Sequence, residues 1–197
     1  MVPGSTRWVR ALPAGTLEKT KKDVMNMCQP AAIIRPMTET DIFDLAQGFA
    51  EQGWNKPQSQ YEAYWQEHQS GVRTVLTAEA DGKAVGYLTV VPNPEHGPFA
   101  GKGYPEIVDF NVLIPYRNQG IGNLLMDAAE AYIAKTSPIA TIGVGLYRDY
   151  GTAQRMYVKR GYIPDGSGVW YQNRNLDPCE ICYNDDDLVL YFSKQLG

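Results

Sequence analysis

The stretch that decides the fold is Phe110-Asn-Val-Leu-Ile-Pro-Tyr-Arg-Asn-Gln-Gly-Ile-Gly122, where a strand-like segment gives way to a turn and then to a helix. The helical apolar face is supplied by Ile121, Leu124, Leu125, Ala128 and Tyr132. A helix that begins directly after a strand and a glycine turn aims unpaired backbone N–H groups and its positive dipole end at one point. The stretch therefore predicts an anion site fit for a pyrophosphate.

The residue types of this loop suit that role. Gly120 and Gly122 let the main chain approach phosphates closely, and Arg117 adds positive charge. The spacing matches neither the Walker A loop, which needs Gly-Lys-Ser/Thr, nor the Rossmann GxGxxG. Taken alone, R-x-x-G-x-G is a weak signal, because glycines at a strand–helix turn are often packing devices.

The elements around the loop predict a mixed sheet. The strand Pro105–Ile114, the helix that ends near Lys135 and the strand Ile139–Leu146 form a β-α-β unit, which implies two parallel strands. Upstream, two β-branched runs at 73–80 and 83–91 flank Asp81-Gly82 and predict a hairpin.

The remaining elements complete the predicted order. The strand Ala32-Ile-Ile-Arg-Pro-Met37 leads to a helix over Ile42–Phe49, preceded by a capping-box-like Thr38 and Asp41. Further segments are predicted as a helix at 59–69, a short helix at 153–161, and strands at 168–172 and 187–192. This order indicates an α+β fold in one domain, 31–197, with 1–30 as a Pro/Gly-punctuated extension that holds one candidate helix at 17–27.

Charge and hydropathy exclude several function classes. The formal charge is −4, and beyond residue 30 the chain has 13 basic and 20 acidic residues. An acidic body disfavours nucleic acid as the main ligand. It suits a cationic molecule or basic peptide better, but acidity also simply keeps a protein soluble, and that is the first explanation for it here. No apolar run approaches the roughly 18 residues of a membrane span, and the N-terminus lacks a secretory pattern. We expect a cytoplasmic protein.

The cysteines predict neither a disulfide framework nor a metal site. Cys28, Cys179 and Cys182 are too few for the first. The pair in Cys179-Glu-Ile-Cys182 lacks two further zinc ligands, since His68 and His96 are far away in sequence. We expect reduced thiols and no metal.

The loop and a second segment together resemble the GNAT superfamily of acyl-CoA N-acyltransferases. R-x-x-G-x-G resembles that family's motif A, Q/R-x-x-G-x-G/A after the fourth strand. Ala153-Gln-Arg-Met-Tyr-Val-Lys-Arg-Gly-Tyr162 resembles its later A-x-x-x-Y-x-K-x-G-F/Y segment. The resemblance covers about 165 residues and implies a mixed, mostly antiparallel sheet of about seven strands, with helices on both faces and a β-α-β cofactor core.

The resemblance also implies acetyl-CoA as co-substrate and assigns residues to it. The pyrophosphate would bind backbone N–H groups of the loop: Arg117, Asn118, Gln119, Gly120, Ile121, Gly122 and Asn123. The pantetheine would bind the end of the preceding strand, at Asn111, Val112 and Leu113. Tyr157 matches a tyrosine that acts as general acid near the thioester sulfur. The sequence departs from the family at Tyr150, where many members hold an asparagine that contacts the cofactor.

The implied reaction is direct attack of a primary amine on the acetyl thioester. It needs a base for the ammonium, an oxyanion donor, expected at a backbone N–H near Val112–Leu113, and an acid for the thiolate. Glu106 and Asp109 are both candidate bases, and in a regular strand only one of them can face the cleft unless a bulge intervenes. Glu106 falls at the position of the glutamate base in the family's histone-acetylating branch. Asp109 is better explained by pairing with a nearby Lys or Arg.

Two other functions remain open at this stage. The chain could be a regulatory module that binds acyl-CoA without turnover, or a structural partner domain. The presence of both Glu106 and Tyr157 favours the enzyme, with a small-molecule or peptide amine as acceptor. The sequence does not decide between monomer and homodimer.

Overall fold

The computed structural model describes residues 32–197. The extension predicted at 1–30, with its candidate helix and Cys28, lies outside this described part. Eight strands and four α-helices follow in chain order: β1 (Ile33–Pro36), α1 (Asp41–Glu51), α2 (Gln58–Ser70), β2 (Thr74–Ala80), β3 (Lys83–Val91), β4 (Glu106–Val112), α3 (Ile121–Ile133), β5 (Ile139–Gly145), α4 (Gly151–Lys159), β6 (Ile163–Tyr171), β7 (Arg174–Asn175) and β8 (Leu188–Gln195).

The strands form one sheet in the order β1-β2-β3-β4-β5-β8-β6-β7. Only the central pair β4 and β5 is parallel, and the other neighbouring strands are antiparallel. This confirms the predicted mixed, mostly antiparallel sheet with a β-α-β unit at its centre. The sheet has eight strands, against about seven expected, because the two-residue β7 pairs with the end of β6.

Helices cover both faces of the sheet, as expected. On β3, Tyr87 packs edge-on against Phe49 of α1 and Tyr61 of α2. Thr74 of β2 lies on the opposite face, because it pairs with Val90, an odd number of residues from Tyr87. Its hydroxyl donates to the Tyr132 hydroxyl of α3 at 2.7 Å. The α1–α2 pair and α3 therefore enclose the sheet from opposite sides.

The start of α1 is fixed by a buried ion pair. Both carboxylate oxygens of Asp41, which is 1% exposed, accept hydrogen bonds of 2.7 Å from Arg35 of β1. The same carboxylate accepts the Thr38 amide at 2.8 Å. Burial opposes ionisation of Asp41, but the Arg35 and Thr38 hydrogen bonds prevail and lower its pKa. The bond from the Thr38 amide to the Asp41 carboxylate is one half of the predicted capping box. The other half, a bond to the Thr38 hydroxyl from the Asp41 amide, is replaced by a bond between the Thr38 and Thr40 hydroxyls.

Candidate active site

A bulge in β4 gives the site its shape. Thr89 of β3 pairs with Val108, whereas Tyr87, two residues earlier, pairs with Asn111, so β4 holds one residue more than β3. Asp109 lies in this bulge with φ +49, in the left-handed region that non-glycine residues rarely adopt. The structure therefore contains the bulge that the sequence analysis gave as the condition for Glu106 and Asp109 to face the same side.

Beyond the start of β4, the two parallel strands separate. They pair only at Glu106 with Thr141 and at Ile107 with Ile142. From there to its end, β4 has no partner on its β5 side, although β5 stays paired with β8 as far as Gly145 and Val189. The centre of the sheet therefore contains a gap that is bordered by unpaired backbone.

The backbone of β4 points one identified amide into this gap. The Leu113 amide donates to the Val85 carbonyl of β3 at 2.9 Å, so the sheet already uses it. N–H groups alternate in direction along an antiparallel strand, so the Val112 amide faces away from β3 and into the gap. The sequence analysis expected an oxyanion donor at a backbone N–H near Val112–Leu113. Because the Leu113 amide is bonded to β3, the Val112 amide is the one of these two that is available to a ligand.

Asp109 lies in a dense cluster of hydrogen-bond donors. Its carboxylate accepts five hydrogen bonds of 2.6–3.0 Å, from Lys56, Gln60, Tyr64, Tyr87 and Asn111. Lys56 and Asp109 are each 17% exposed and form an ion pair. The interpretation of Asp109 as an ion-pairing residue is confirmed, and this carboxylate has no free lone pair for a substrate proton.

Glu106 is in the opposite situation. It begins β4, is half-buried, and accepts no hydrogen bond from any residue of the described part. Burial raises the pKa of Glu106 to about 7. Its charge acts on Tyr191 of β8, whose pKa burial and that charge raise to about 12. Glu106 can therefore exchange a proton near neutral pH.

The glycine loop leads into α3 as predicted. Gly120 caps the helix with φ +85, and Asn118 also has a positive φ. The amides of residues 118–122 find no acceptor within the described chain, and the first helical bonds are those from Asn123 and Leu124 to the Gly120 carbonyl. A run of free, converging amides at a helix start is a favourable anion site.

Three segments of the site meet at Gly122. A Cβ on this residue would lie 3.2 Å from the Phe110 ring and 3.9 Å from the Met156 sulfur. The start of α3 after the glycine loop is therefore close to both the β4 bulge and helix α4. The next residue of α4, Tyr157, is 4% exposed, and no residue of the described part hydrogen-bonds its hydroxyl. Burial raises the pKa of Tyr157 and keeps it protonated.

Arg117 and Tyr150 adopt contacts that the sequence did not indicate. The Arg117 Nε donates to the Val112 carbonyl at 2.9 Å, and its guanidinium stacks 5.1 Å from the Trp54 ring centroid. Tyr150 packs directly on Gly145, where a Cβ would overlap its ring. The Tyr150 and Tyr147 hydroxyls both donate to Asp186, at 2.8 and 2.7 Å.

Sequence reasoning missed these partners and the donors around Asp109. Tyr64 and Asp109 are 45 residues apart, and no local spacing reports such a pair. Asp186 lies in an exposed turn before β8 and anchors the β5–α4 connection through the two tyrosines.

The described residues show no site of another class. Between residues 32 and 197, no three His, Cys, Asp or Glu side chains could hold a metal ion together. Cys179 is exposed and Cys182 half-buried in the loop before β8, and both are free thiols. None of the four helices is long and apolar enough to cross a membrane.

Comparison with known proteins gives one family match. The model of the acetyltransferase (GNAT) family matches residues 40–162, which include β4, the glycine loop and Tyr157. No sequence among the curated proteins matches this chain.

Solved structures of the same fold are distant in sequence. An N-acetyltransferase from Staphylococcus aureus superposes with a TM-score of 0.64 at 13% identity, over 84% of this chain and 99% of that one. The ribosomal-protein-alanine N-acetyltransferase from Brucella melitensis gives 0.62 at 18% identity, over 83% and 99%. The yncA protein from Salmonella typhimurium, solved with its cofactor acetyl-CoA, gives 0.62 at 14% identity, over 85% and 95%.

Proposed function

Because this chain belongs to the GNAT family of acetyltransferases, we propose that it transfers the acetyl group of acetyl-CoA to a primary amine by direct attack. The observation that carries the proposal is the gap between β4 and β5, which opens beyond the Ile107 pair. The Glu106 carboxylate, which has no hydrogen-bond donor in the described part, lies one residue before this opening, and the free loop amides follow the far end of β4. This gap could hold a thioester between a base and an anion site.

The residues present fit acetyl-CoA. The free amides of residues 118–122 suit the pyrophosphate, with Arg117 and Asn123 at the two ends of that loop. The unpaired side of β4 suits the amide groups of the pantetheine, since backbone N–H and C=O groups there lack strand partners. Asn111, Val112 and Leu113 form this segment. Bound acetyl-CoA would supply an acetyl carbonyl that an amine attacks and a thiolate that leaves.

Glu106 is the proposed general base. It takes the proton of the attacking ammonium, and its pKa of about 7 makes the carboxylate available at neutral pH. Because the amine nitrogen then forms its bond to the carbonyl carbon, negative charge develops on the carbonyl oxygen. The Val112 amide donates to that oxygen, as the identified amide that faces the gap.

Tyr157 is the proposed general acid. Its hydroxyl gives a proton to the departing thiolate as the carbon–sulfur bond breaks. The nitrogen, which still carries one proton too many after the attack, then loses that proton and restores the phenol. The proton held by Glu106 passes to solvent, so the whole reaction releases one proton. A raised pKa suits this role, because the phenol stays protonated until the thiolate forms. Through Met156, its helix approaches Gly122, which follows the glycine loop and also lies near Phe110 of β4.

The proposed acceptor is a small-molecule or peptide amine. One structure of the same fold is a ribosomal-protein-alanine N-acetyltransferase, which supports a peptide amine. The described part of the chain carries more acidic than basic residues, which favours a cationic acceptor over an acidic one.

The test is a CoA-release assay with acetyl-CoA against a panel of amines and N-terminal peptides. We expect turnover with at least one acceptor, and a fall in kcat of at least about 10²-fold in Glu106→Gln and Tyr157→Phe. Calorimetry should show unchanged acetyl-CoA affinity in both variants. Glu39→Gln, an exposed carboxyl before α1, and Tyr132→Phe, on the opposite face of the sheet, are matched controls expected to retain full activity.

The outcomes separate the candidate functions. Tight acetyl-CoA binding with no turnover on any acceptor would favour the non-catalytic binding module. Absence of acetyl-CoA binding would refute the proposed role of the 117–123 loop.

A further inference from the structure

We infer that Asp109 is a positioning residue, whose hydrogen-bond cluster holds the β4 bulge and so aims the Val112 amide into the gap. This inference rests on the proposed function, because that amide is the proposed donor to the thioester carbonyl. It goes beyond the proposed function in assigning a role to a carboxylate whose five hydrogen bonds all come from this chain.

The first argument is the backbone of Asp109. A φ of +49 brings Cβ close to the following carbonyl oxygen, so the conformation is unfavourable for most residues other than glycine, and aspartate adopts it mainly where its side chain is hydrogen-bonded. Such conformations persist where surrounding contacts impose them. Here the bulge lies opposite Leu88, between the pairs that Thr89 and Tyr87 make with β4.

The second argument is the direction of the five hydrogen bonds. Lys56, Gln60 and Tyr64 belong to α2 and the segment just before it, and Tyr87 belongs to β3. One carboxylate therefore ties the bulge to a helix and to the neighbouring strand at once. The shortest bond, 2.6 Å, comes from the buried Tyr87 hydroxyl.

The third argument is what the extra residue does to the strand. Without the bulge, the pairing of Thr89 with Val108 would continue in register, and Val112 would come opposite Val85. There the sheet would use the Val112 amide, as it now uses that of Leu113. A one-residue slip reverses the direction of every following group. The bulge thus decides which amide faces the gap.

The charge of this cluster is balanced. Lys56 pairs with Asp109 at 2.7 Å, and the two carboxylate oxygens accept all five hydrogen bonds. An asparagine would turn an N–H group toward at least one existing donor. Both acceptor oxygens of Asp109, and not only its size, are therefore required.

The test uses three variants of the full chain. Asp109→Ala removes the hydrogen bonds and keeps the unfavourable φ, whereas Asp109→Gly removes the hydrogen bonds and relieves it. Asp81→Ala is the matched control, because Asp81 also has a positive φ, 52°, but lies exposed in the β2–β3 turn. If a variant at 109 does not fold, Tyr64→Phe removes one donor only and lowers kcat by about threefold to tenfold.

Two measurements report on the bulge without turnover. Infrared spectra of bound acetyl-CoA with a ¹³C-labelled thioester carbonyl should show a lowered stretch in the wild type, and a loss of this shift in both variants at 109. Hydrogen exchange of the ligand-free protein should be faster over residues 110–113 in those variants and unchanged in Asp81→Ala. We also expect kcat to fall about 10²-fold, with acetyl-CoA affinity within about threefold.

Each outcome decides the inference. Retention of the carbonyl shift and of slow exchange in Asp109→Gly would overturn it, since the backbone alone would then hold the bulge. A wild type that binds acetyl-CoA with a lowered stretch but acetylates no acceptor would refute the proposed function and leave the role of Asp109 standing. Absence of acetyl-CoA binding would overturn both.

Discussion

At the scale of single residues, Glu106 has lost water without gaining a donor from the described part of the chain. Its pKa of about 7 follows from this burial. Asp109, three positions on, is also mostly buried, but five donors, one of them a lysine, surround it. The same functional group is thus the proposed base at one position and the proposed anchor of the bulge at the other.

The pH dependence of catalysis follows from Glu106. Because the ionised form is the proposed base, kcat/KM should rise with pH up to about 7 and then level off. Steady-state rates between pH 5 and 9 check this, with an acceptor whose own pKa lies outside that range. A pH profile with no inflection near pH 7 would contradict the assignment of Glu106 as the base. In Glu106→Gln, the rise of the rate with pH should be lost.

The same burial should cost stability at high pH. A folded-state pKa of about 7, above the ordinary 4.5, means that the folded protein binds this proton more tightly than the unfolded chain does. Ionisation therefore lowers the free energy of unfolding as pH rises from about 4.5 through 7. We expect Glu106→Gln to be more stable than the wild type by about 1–3 kcal/mol at pH 8, and equal at pH 4.

Urea denaturation at the two pH values measures this difference. Equal stabilities at pH 8 would show that the Glu106 carboxylate is solvated, and would count against its raised pKa.

Alternation along the strand predicted that Glu106 and Asp109 could share a face only through a bulge, and the bulge is present. The sequence could also predict that Asp109 pairs with a basic residue. It could not identify Lys56, Gln60 or Tyr64, because these lie 45 to 53 residues away and reach Asp109 only once α2 packs on the sheet.

At the scale of elements, local chemistry decided most boundaries. The Asp81-Gly82 turn lies where predicted, with both residues at positive φ, and α3 begins at Ile121 directly after Gly120. β6 was the exception, since it begins at Ile163 and not at 168. Pro164 and Gly166 weaken the local strand signal, and pairing with β8 overrides them through an irregular register between Pro164 and Val169.

The glycine cap of α3 gives a prediction at this scale. A Cβ on Gly120 would meet no atom within 4 Å, so Gly120→Ala is opposed only by its φ of +85. Since the left-handed region costs other residues about 1–2 kcal/mol, the loop should shift and acetyl-CoA should bind about tenfold more weakly.

Gly82→Ala is the matched control, with φ +74 and equally open space in the distant β2–β3 turn. Calorimetric titration of both variants should show weaker binding in Gly120→Ala alone. An equal loss in both would indicate general destabilisation instead of a local effect on the loop.

At the scale of the whole molecule, the described residues contain a complete sheet and core. The buried cluster extends from Ala32 to Phe192 and includes residues of all four helices and of strands β2, β3, β4, β5 and β8. The GNAT fold inferred from two motifs was confirmed over this length. Two motifs were enough to predict it, because the glycine loop before α3 and the Tyr157 segment of α4 are connected through the β-α-β unit. The division at residue 30 stays a prediction.

That division can be tested by truncation. A chain of residues 31–197 should unfold cooperatively within about 4 °C of the full chain, because the core cluster lies within it. It should also bind acetyl-CoA with the same affinity. Differential scanning calorimetry checks the first expectation, and a loss of cooperativity would show that residues 1–30 contribute to the fold.

The separation of β4 from β5 has a consequence for turnover. If the pantetheine arm fills this gap, it pairs with β4 as a temporary ninth strand. The CoA that remains after the acetyl group has left keeps every one of those backbone contacts. Free CoA should therefore compete with acetyl-CoA at nearly equal strength. The rate in a cell would then follow the ratio of acetyl-CoA to free CoA more closely than the concentration of either.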